Sequence, residues 1–279
     1  MGRLQKTKLK TNGAIVLKVA VALVFWIISA FLQGFSCFDV RAEDLKWTNL
    51  SSFSTYFNQK EGGRCENIAL AAGFIDGVTI QPYGEFSFNQ TVGERTSSAG
   101  FKSAKVIQNG EYKTGVGGGV CQVSTTLYNA ALLSGLTVTE FHPHSLAVGY
   151  VEPSRDAMVS SYSDFRLYNG YSFPVRLRLK AESGTLTVWV YGLNTTKSFT
   201  EYKIVSRTLE EILPPEAEIK EGEKEEVLRK EKCGIKSEAY LERYDRGILV
   251  SRKLIRKDVY SPIRGIIVKK IQKTGEKTS

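Results

Sequence analysis

Gly117-Gly118-Gly119-Val120-Cys121-Gln122-Val123-Ser124-Thr125-Thr126-Leu127-Tyr128-Asn129 is the stretch from which the rest of the 279-residue chain is read. Three consecutive glycines add nothing to a core and lose the most backbone entropy on folding. Such a run marks a sharp turn or the close approach of another molecule. The pattern then becomes helical: Val120, Val123, Leu127, Ala130 and Ala131 share one apolar face, and Gly135 supplies a stop. Cys121, Ser124, Thr125 and Tyr128 fall at i, i+3, i+4 and i+7, a polar stripe along another face. Cys121 therefore sits in the first turn of a predicted helix, where open N–H groups and the helix dipole favour a thiolate. The plainer alternative is a small buried thiol, which would not need the glycines.

Working outward, the chain has two histidines, His142 and His144. Pro143 between them excludes helix, so the two rings point the same way from an extended segment. This fits a Cys–His nucleophilic centre, with His144 as base and His142 orienting it. Backbone N–H groups of Cys121 and the Gly117, Gly118, Gly119 loop form the expected oxyanion hole, with Ser124 and Thr125 lining the cleft. In the turn Pro153-Ser154-Arg155-Asp156, Arg155 suits a substrate carboxylate and Asp156 suits substrate or a histidine. Two alternatives stay open: a hydrogen-bonded turn without chemistry, and a metal held by Cys121, His142 and His144. Nothing in the sequence calls for a cofactor.

The net charge of +9 is unevenly placed. Residues 1–42 carry six basic side chains against one acidic, 43–205 carry 14 of each, and 206–279 carry 18 against 14. A neutral central domain argues against nucleic acid, and the basic ends suit an anionic membrane or wall polymer. The basic segment 1–12 precedes an apolar run at 13–38, which reads as a signal anchor with the main domain outside the cytoplasm. Cleavage after Val40-Arg41-Ala42, releasing a secreted protein, is the alternative. Cys37, Cys65, Cys121 and Cys233 match no small disulfide scaffold and read as free thiols.

Residues 43–205 read as one α+β domain, mainly antiparallel with two short helices. Phe53, Tyr56 and Phe57 are expected to pack on it, a helix covers Asn67–Ile75, and Asn109-Gly110 turns a hairpin within 104–112. Short strands are expected at 137–141, 147–151, 158–162, 165–168, 175–179 and 186–191. Residues 206–232 read as an acidic linker or the start of another module, and 233–279 as a small basic β domain.

The run Gly117–Ala130, then His142-Pro143-His144-Ser145, Val151-Glu152-Pro153-Ser154-Arg155-Asp156-Ala157 and the upstream Gly84-Glu85-Phe86-Ser87-Phe88-Asn89, together resemble the VanW-domain family over roughly residues 50–190. Ser154 stands where that family usually has Gly. Residues 206–279 more loosely resemble a small β domain named for its glycines, here Gly222, Gly234, Gly247, Gly265 and Gly275. The resemblance implies a Gram-positive cell-wall protein. It further implies an L,D-transpeptidase using Cys121 on peptidoglycan stem peptides, with wall sugars bound by the C-terminal domain. A non-catalytic wall-binding protein is the competing expectation.

Overall fold

The computed structural model describes residues 46–108, 110–195 and 199–270. The expected signal anchor, Asn109 and Gly275 lie outside them. Among the described residues no helix is long and apolar enough to cross a membrane.

The chain opens with strand β1 (Trp47–Tyr56), followed by helix α1 (Gly62–Ile75), β2 (Thr79–Ile80), β3 (Glu85–Ser87) and the one-turn α2 (Phe88–Val92). Next come the hairpin β4 (Ser103–Gln108) and β5 (Glu111–Val116), helix α3 (Val120–Ser134), β6 (Thr137–Glu140), β7 (Arg166–Tyr168), β8 (Val175–Glu182) and β9 (Thr185–Leu193). Strands β1, β9, β8 and β2 form an antiparallel sheet in that order, and β3, β7 and β6 form a smaller one. The fold is α+β and mainly antiparallel.

Alternation along β9 explains the layering. Leu186, Val188 and Val190 are fully buried, while Thr187, Trp189 and Tyr191 between them are half-exposed. The buried set joins Val175 and Leu177 of β8 in facing Ile68, Ala71 and Ile75 of α1 and Val123, Leu127 and Ala131 of α3. Burying each such aliphatic side chain is worth about 1.5–3 kcal/mol, so this layer carries the domain.

Helix α3 is more enclosed than an apolar stripe requires, with 13 of its 15 residues buried. Its polar side chains face inward on the neighbours that satisfy them. Thr126 bonds Thr55 at 2.8 Å, Gln122 donates to Thr55 at 2.9 Å, and Asn129 donates to the Arg155 carbonyl at 2.8 Å. The helix closes at Gly135, in the left-handed conformation, as expected.

Beyond β9 the chain builds a second module. Strands β10 (Thr200–Ile212), β13 (Gly234–Asp245) and β14 (Ile248–Tyr260) form one antiparallel sheet. Strands β11 (Glu218–Gly222), β12 (Glu226–Arg229) and β15 (Ile266–Lys270) form another, with β11 and β15 parallel. The module is docked by polar contacts: Ser261 N–H to the Ser145 carbonyl at 2.8 Å, Ser154 Oγ to Ser237 Oγ at 2.7 Å, and Arg229 Nη1 to Glu111 Oε1 at 3.1 Å.

Several sequence expectations are corrected. The boundary expected at 205/206 falls inside β10, and of the two readings of 206–232 its strands fit the start of the second module rather than a linker. The acidic side chains there lie at the surface, so their charge masks the strand pattern. Segments 147–151 and 158–162 are irregular, held by contacts such as Met158 N–H to the His142 carbonyl at 2.7 Å instead of by a ladder. Residues 47–56 are an unforeseen strand. Phe53 and Phe57 pack on the core, whereas Tyr56 is 73% exposed. Helices α1 and α3, at 14 and 15 residues, are not short.

Candidate active site

The glycine run ends at the first turn of α3 and sets where Cys121 stands. Gly119 has φ +109°, a conformation that side chains rarely adopt, and Gly118 lies flat against β4. A Cβ on Gly118 would come within 2.5 Å of the Lys105 carbonyl oxygen. The run therefore serves the chain's own packing, which corrects the expectation that its glycines exist to admit a substrate. The amide groups of Gly118, Gly119 and Cys121 have no acceptor among the described residues. They are the remaining basis for an oxyanion site there.

The Cys121 side chain is half-buried, with Sγ 3.4 Å from the Val159 carbonyl oxygen. His144, 6% exposed, comes from the loop after β6 and is the main influence that lowers the pKa of the thiol. On its other side His144 Nδ1 lies 2.7 Å from Asp156 Oδ2, which also accepts the His144 backbone N–H at 2.7 Å. With Nδ1 engaged there, Nε2 is the ring nitrogen left for the sulfur. Sulfur, imidazole and carboxylate thus stand in series.

The electrostatics follow from this order. Burial pushes the Cys121 thiol up, but the hydrogen bond and charge of His144, aided by Arg95, bring it below the ordinary thiol value. Burial pulls the His144 imidazole down, but Asp156 and Cys121 together raise it to about 9. Burial likewise opposes ionisation of Asp156, and the hydrogen bond and charge of His144 with the charge of Arg256 hold its carboxyl below the usual range. The two shifts run in the direction that moves the thiol proton toward the imidazole, with the carboxylate behind it.

Other expected residues fall elsewhere. His142 faces Glu140 at 3.0 Å and is partly exposed, so its ring is engaged away from the thiol. Among the described residues no three His, Cys, Asp or Glu side chains converge as a metal would need, which removes the support for the Cys121–His142–His144 metal reading. Ser124 and Thr125 are fully buried and do not line a cleft. Ser124 donates to the Ala157 carbonyl at 2.6 Å, and Thr125 Oγ1 accepts the Ala157 N–H at 2.9 Å. They pin the loop that brings Asp156 to His144. Arg155 is directed inward as well: Nε donates to Asn129 at 2.9 Å, and the guanidinium lies 5.0 Å from the Phe53 ring centre. That geometry replaces the expected grip on a substrate carboxylate.

Three contributors escaped the sequence reading. Tyr150, half-buried, is one: burial and the Cys121 charge push its pKa up. Arg256 and Tyr260 come from β14, 100 and 104 residues away, and both reach Asp156. A strand reading Arg256-Lys257-Asp258-Val259-Tyr260 puts arginine, aspartate and tyrosine on one face, which sequence patterning assigns to solvent. Here that face is the buried one.

An α+β domain with cysteine, histidine and aspartate in series defines the class of this region. Residues 63–191, 129 of the 279, match the family model described as VanW like protein. An uncharacterised protein of Bacillus subtilis (strain 168), YoaR, is 43% identical over 150 residues, covering 53% of this chain and 50% of YoaR. The Vancomycin B-type resistance protein VanW of Enterococcus faecalis (strain ATCC 700802 / V583) is 32% identical over 90 residues, 32% of each chain. The chain thus spans about half the length of the first relative and a third of the second. Two solved G5 domains, from HP0197 and an IgA1 protease, each match at 24% identity. They cover 25% and 26% of this chain and 97% and 94% of their own, with TM-scores of 0.15 and 0.18.

Proposed function

We propose that the VanW-like domain is a cysteine acyltransferase acting on peptidoglycan stem peptides, as an L,D-transpeptidase. The series Cys121–His144–Asp156 is the observation that carries this reading. The Cys121 thiolate adds to the carbonyl carbon of the amide bond that joins the penultimate stem residue to terminal D-alanine. The oxyanion is taken up by amides of the first turn of α3. As the C–N bond breaks, the His144 imidazolium gives its proton to the departing amine, leaving a thioester on Cys121 and neutral His144. An amine of a second stem then attacks the thioester while His144 takes its proton. The C–S bond breaks, and the new amide and the thiolate–imidazolium pair remain. An anchor at residues 13–38 and an extracytoplasmic site belong to the same proposal, as does contact of the C-terminal module with wall glycan or anionic polymer.

Intact mass after incubation with a tetrapeptide muropeptide tests it. The protein gains one acyl group, cross-linked product accumulates, and Cys121→Ala gives neither. Equal product from Cys121→Ala ends the acyltransferase reading.

One feature favours a second, non-catalytic reading. A groove of about 530 Å³ on the outer face of the β1–β9–β8–β2 sheet is lined by Trp47, Trp189, Tyr191 and Arg176, with the Arg176 guanidinium 4.1 Å from the Trp47 ring centre. Flat rings beside a cation suit a saccharide carrying acidic groups. This reading expects Cys121→Ala to bind isolated sacculi as the parent does and Trp189→Ala to lose that binding.

A further inference from the structure

The Asp156 carboxylate is shared between the two modules. Its Oδ2 faces His144, and its Oδ1 accepts from the Tyr260 hydroxyl and, at 3.3 Å, from Arg256 Nη2. Arg256 also donates Nη1 to the Asp156 carbonyl and Nε to Asp258 Oδ2 at 2.6 Å, and its guanidinium centre lies 4.7 Å from the Phe141 ring centre. The Tyr260 hydroxyl accepts the Ser154 N–H at 2.8 Å. Ser154 is held at φ +60° in the turn that delivers Asp156, so Tyr260 secures both the carboxylate and the strained backbone beneath it. Arg256, Asp258 and Tyr260 are all buried.

We propose that the C-terminal β module is a working part of the candidate active site, with Arg256 and Tyr260 as positioning residues. They fix the Asp156 carboxylate toward His144 and, by sharing its charge, set how tightly His144 holds its proton. This deepens the acyl-transfer reading and rests on it for its functional meaning.

In acyl transfer the imidazolium must give up its proton. A carboxylate buried at 1% exposure with no other cation would hold that proton back, because losing it would leave an isolated charge in a poorly polarisable interior. Arg256 keeps Asp156 compensated in both protonation states of His144, and Tyr260 engages the oxygen that His144 does not use. The other ionisable groups around this centre include Cys121 and Tyr128 of α3, Tyr150 of the loop after β6, Arg95 after α2 and Arg64 of α1, with Asp258 compensated by Arg256 and the Tyr128 ring centre 5.8 Å from the Arg256 guanidinium. None of them contacts Asp156 Oδ1 as the two β14 residues do.

The sign of a substitution separates this role from mere structural support. Removing the Arg256 charge leaves Asp156 more basic, so His144 holds its proton more tightly and titrates higher. Loss of packing alone admits water and lets His144 fall toward the ordinary value near 6.5.

The test follows the imidazole nitrogens by NMR in the whole chain labelled at histidine, without substrate; only His142 and His144 contribute signals. The expected result is a His144 midpoint raised by about one unit in Arg256→Gln. The rise is smaller in Tyr260→Phe, and Arg256→Lys returns close to the parent. A cooperative urea transition and an unchanged far-UV circular dichroism spectrum mark the variants as folded. Tyr260→Phe, which removes one oxygen atom, carries the test if Arg256→Gln does not fold. An unchanged or lowered His144 midpoint in folded Tyr260→Phe overturns the proposal. Because no acyl transfer is measured, that result is distinct from failure of the Cys121→Ala mass experiment.

Discussion

Asn67 of α1 donates its side-chain amide to the carbonyl of Gly118 at 2.9 Å, tying α1 to the glycine run that leads into α3. The same amide donates to the Lys102 carbonyl at 2.9 Å, and its oxygen accepts the Lys102 N–H at 2.7 Å, so one fully buried side chain fastens three backbone groups. Cys121 is placed by this clamp as much as by the helix that bears it.

Gly118→Ala tests the clamp. The added Cβ meets the backbone of Ala104 and Lys105, which cannot swing aside as the end of a side chain would. A loss of about 2–3 kcal/mol is expected in urea unfolding, in the range of overpacked sites. A change within 0.5 kcal/mol, the scatter of ordinary surface substitutions, would show that the hairpin yields freely.

The two histidines are expected to part company. His144→Asn removes the ring between Cys121 and Asp156 and should lower acyl transfer by about 10²–10⁴-fold, the usual worth of a positioned acid–base group. His142→Asn, which frees only Glu140, should leave the rate within about twofold of the parent. Initial rates on a stem tetrapeptide decide it, and equal losses would return His142 to the site.

Arg155→Met should act on stability and leave substrate affinity alone. Its guanidinium bonds Asn129 and lies over Phe53, so removing it costs about 1–2 kcal/mol through the orphaned Asn129 oxygen and the lost ring contact. KM for the stem peptide should not change. A rise of tenfold or more with stability intact would instead place Arg155 on a substrate carboxylate.

Stability should depend on pH through His144. Its folded pKa, raised to about 9, exceeds the unfolded value near 6.5, so the folded state binds the extra proton. Taken alone this stabilisation is full below about pH 6.5 and is lost as pH rises toward 9, while the lowered Cys121 thiol works in the opposite sense. The pH dependence of the unfolding free energy in this window, compared between Cys121→Ala and the double variant Cys121→Ala/His144→Asn, reads the His144 effect with the thiol removed. Parallel curves for the two would contradict it.

How much of this was legible beforehand differs by residue. The helix bearing Cys121 could be read because glycines, apolar spacing and a terminal Gly135 all point the same way. The proximity of His144 was legible because only two imidazoles exist to choose from. Strand β1 was not, since Ser51, Ser52 and Ser54 interrupt its apolar residues, and Ser51 is satisfied only by reaching the Ala130 carbonyl of α3 at 2.7 Å. Ser124 and Thr125 misled because a hydroxyl stripe looks the same whether it faces a cleft or the backbone of Ala157. Arg256 and Tyr260 were out of reach in principle. Their partner lies 100 or more residues upstream, and no local pattern records a buried charge that is matched only after the modules meet.

The Asp156–Tyr260 contact also has a temporal side. A ribosome delivers the thiol, the imidazole and the carboxylate long before residue 260 exists, so during that interval the carboxylate lacks its tyrosine and arginine donors. The surroundings of Asp156 are therefore complete only once β14 has been synthesised, and an unfinished polypeptide holds this carboxylate without two of its donors.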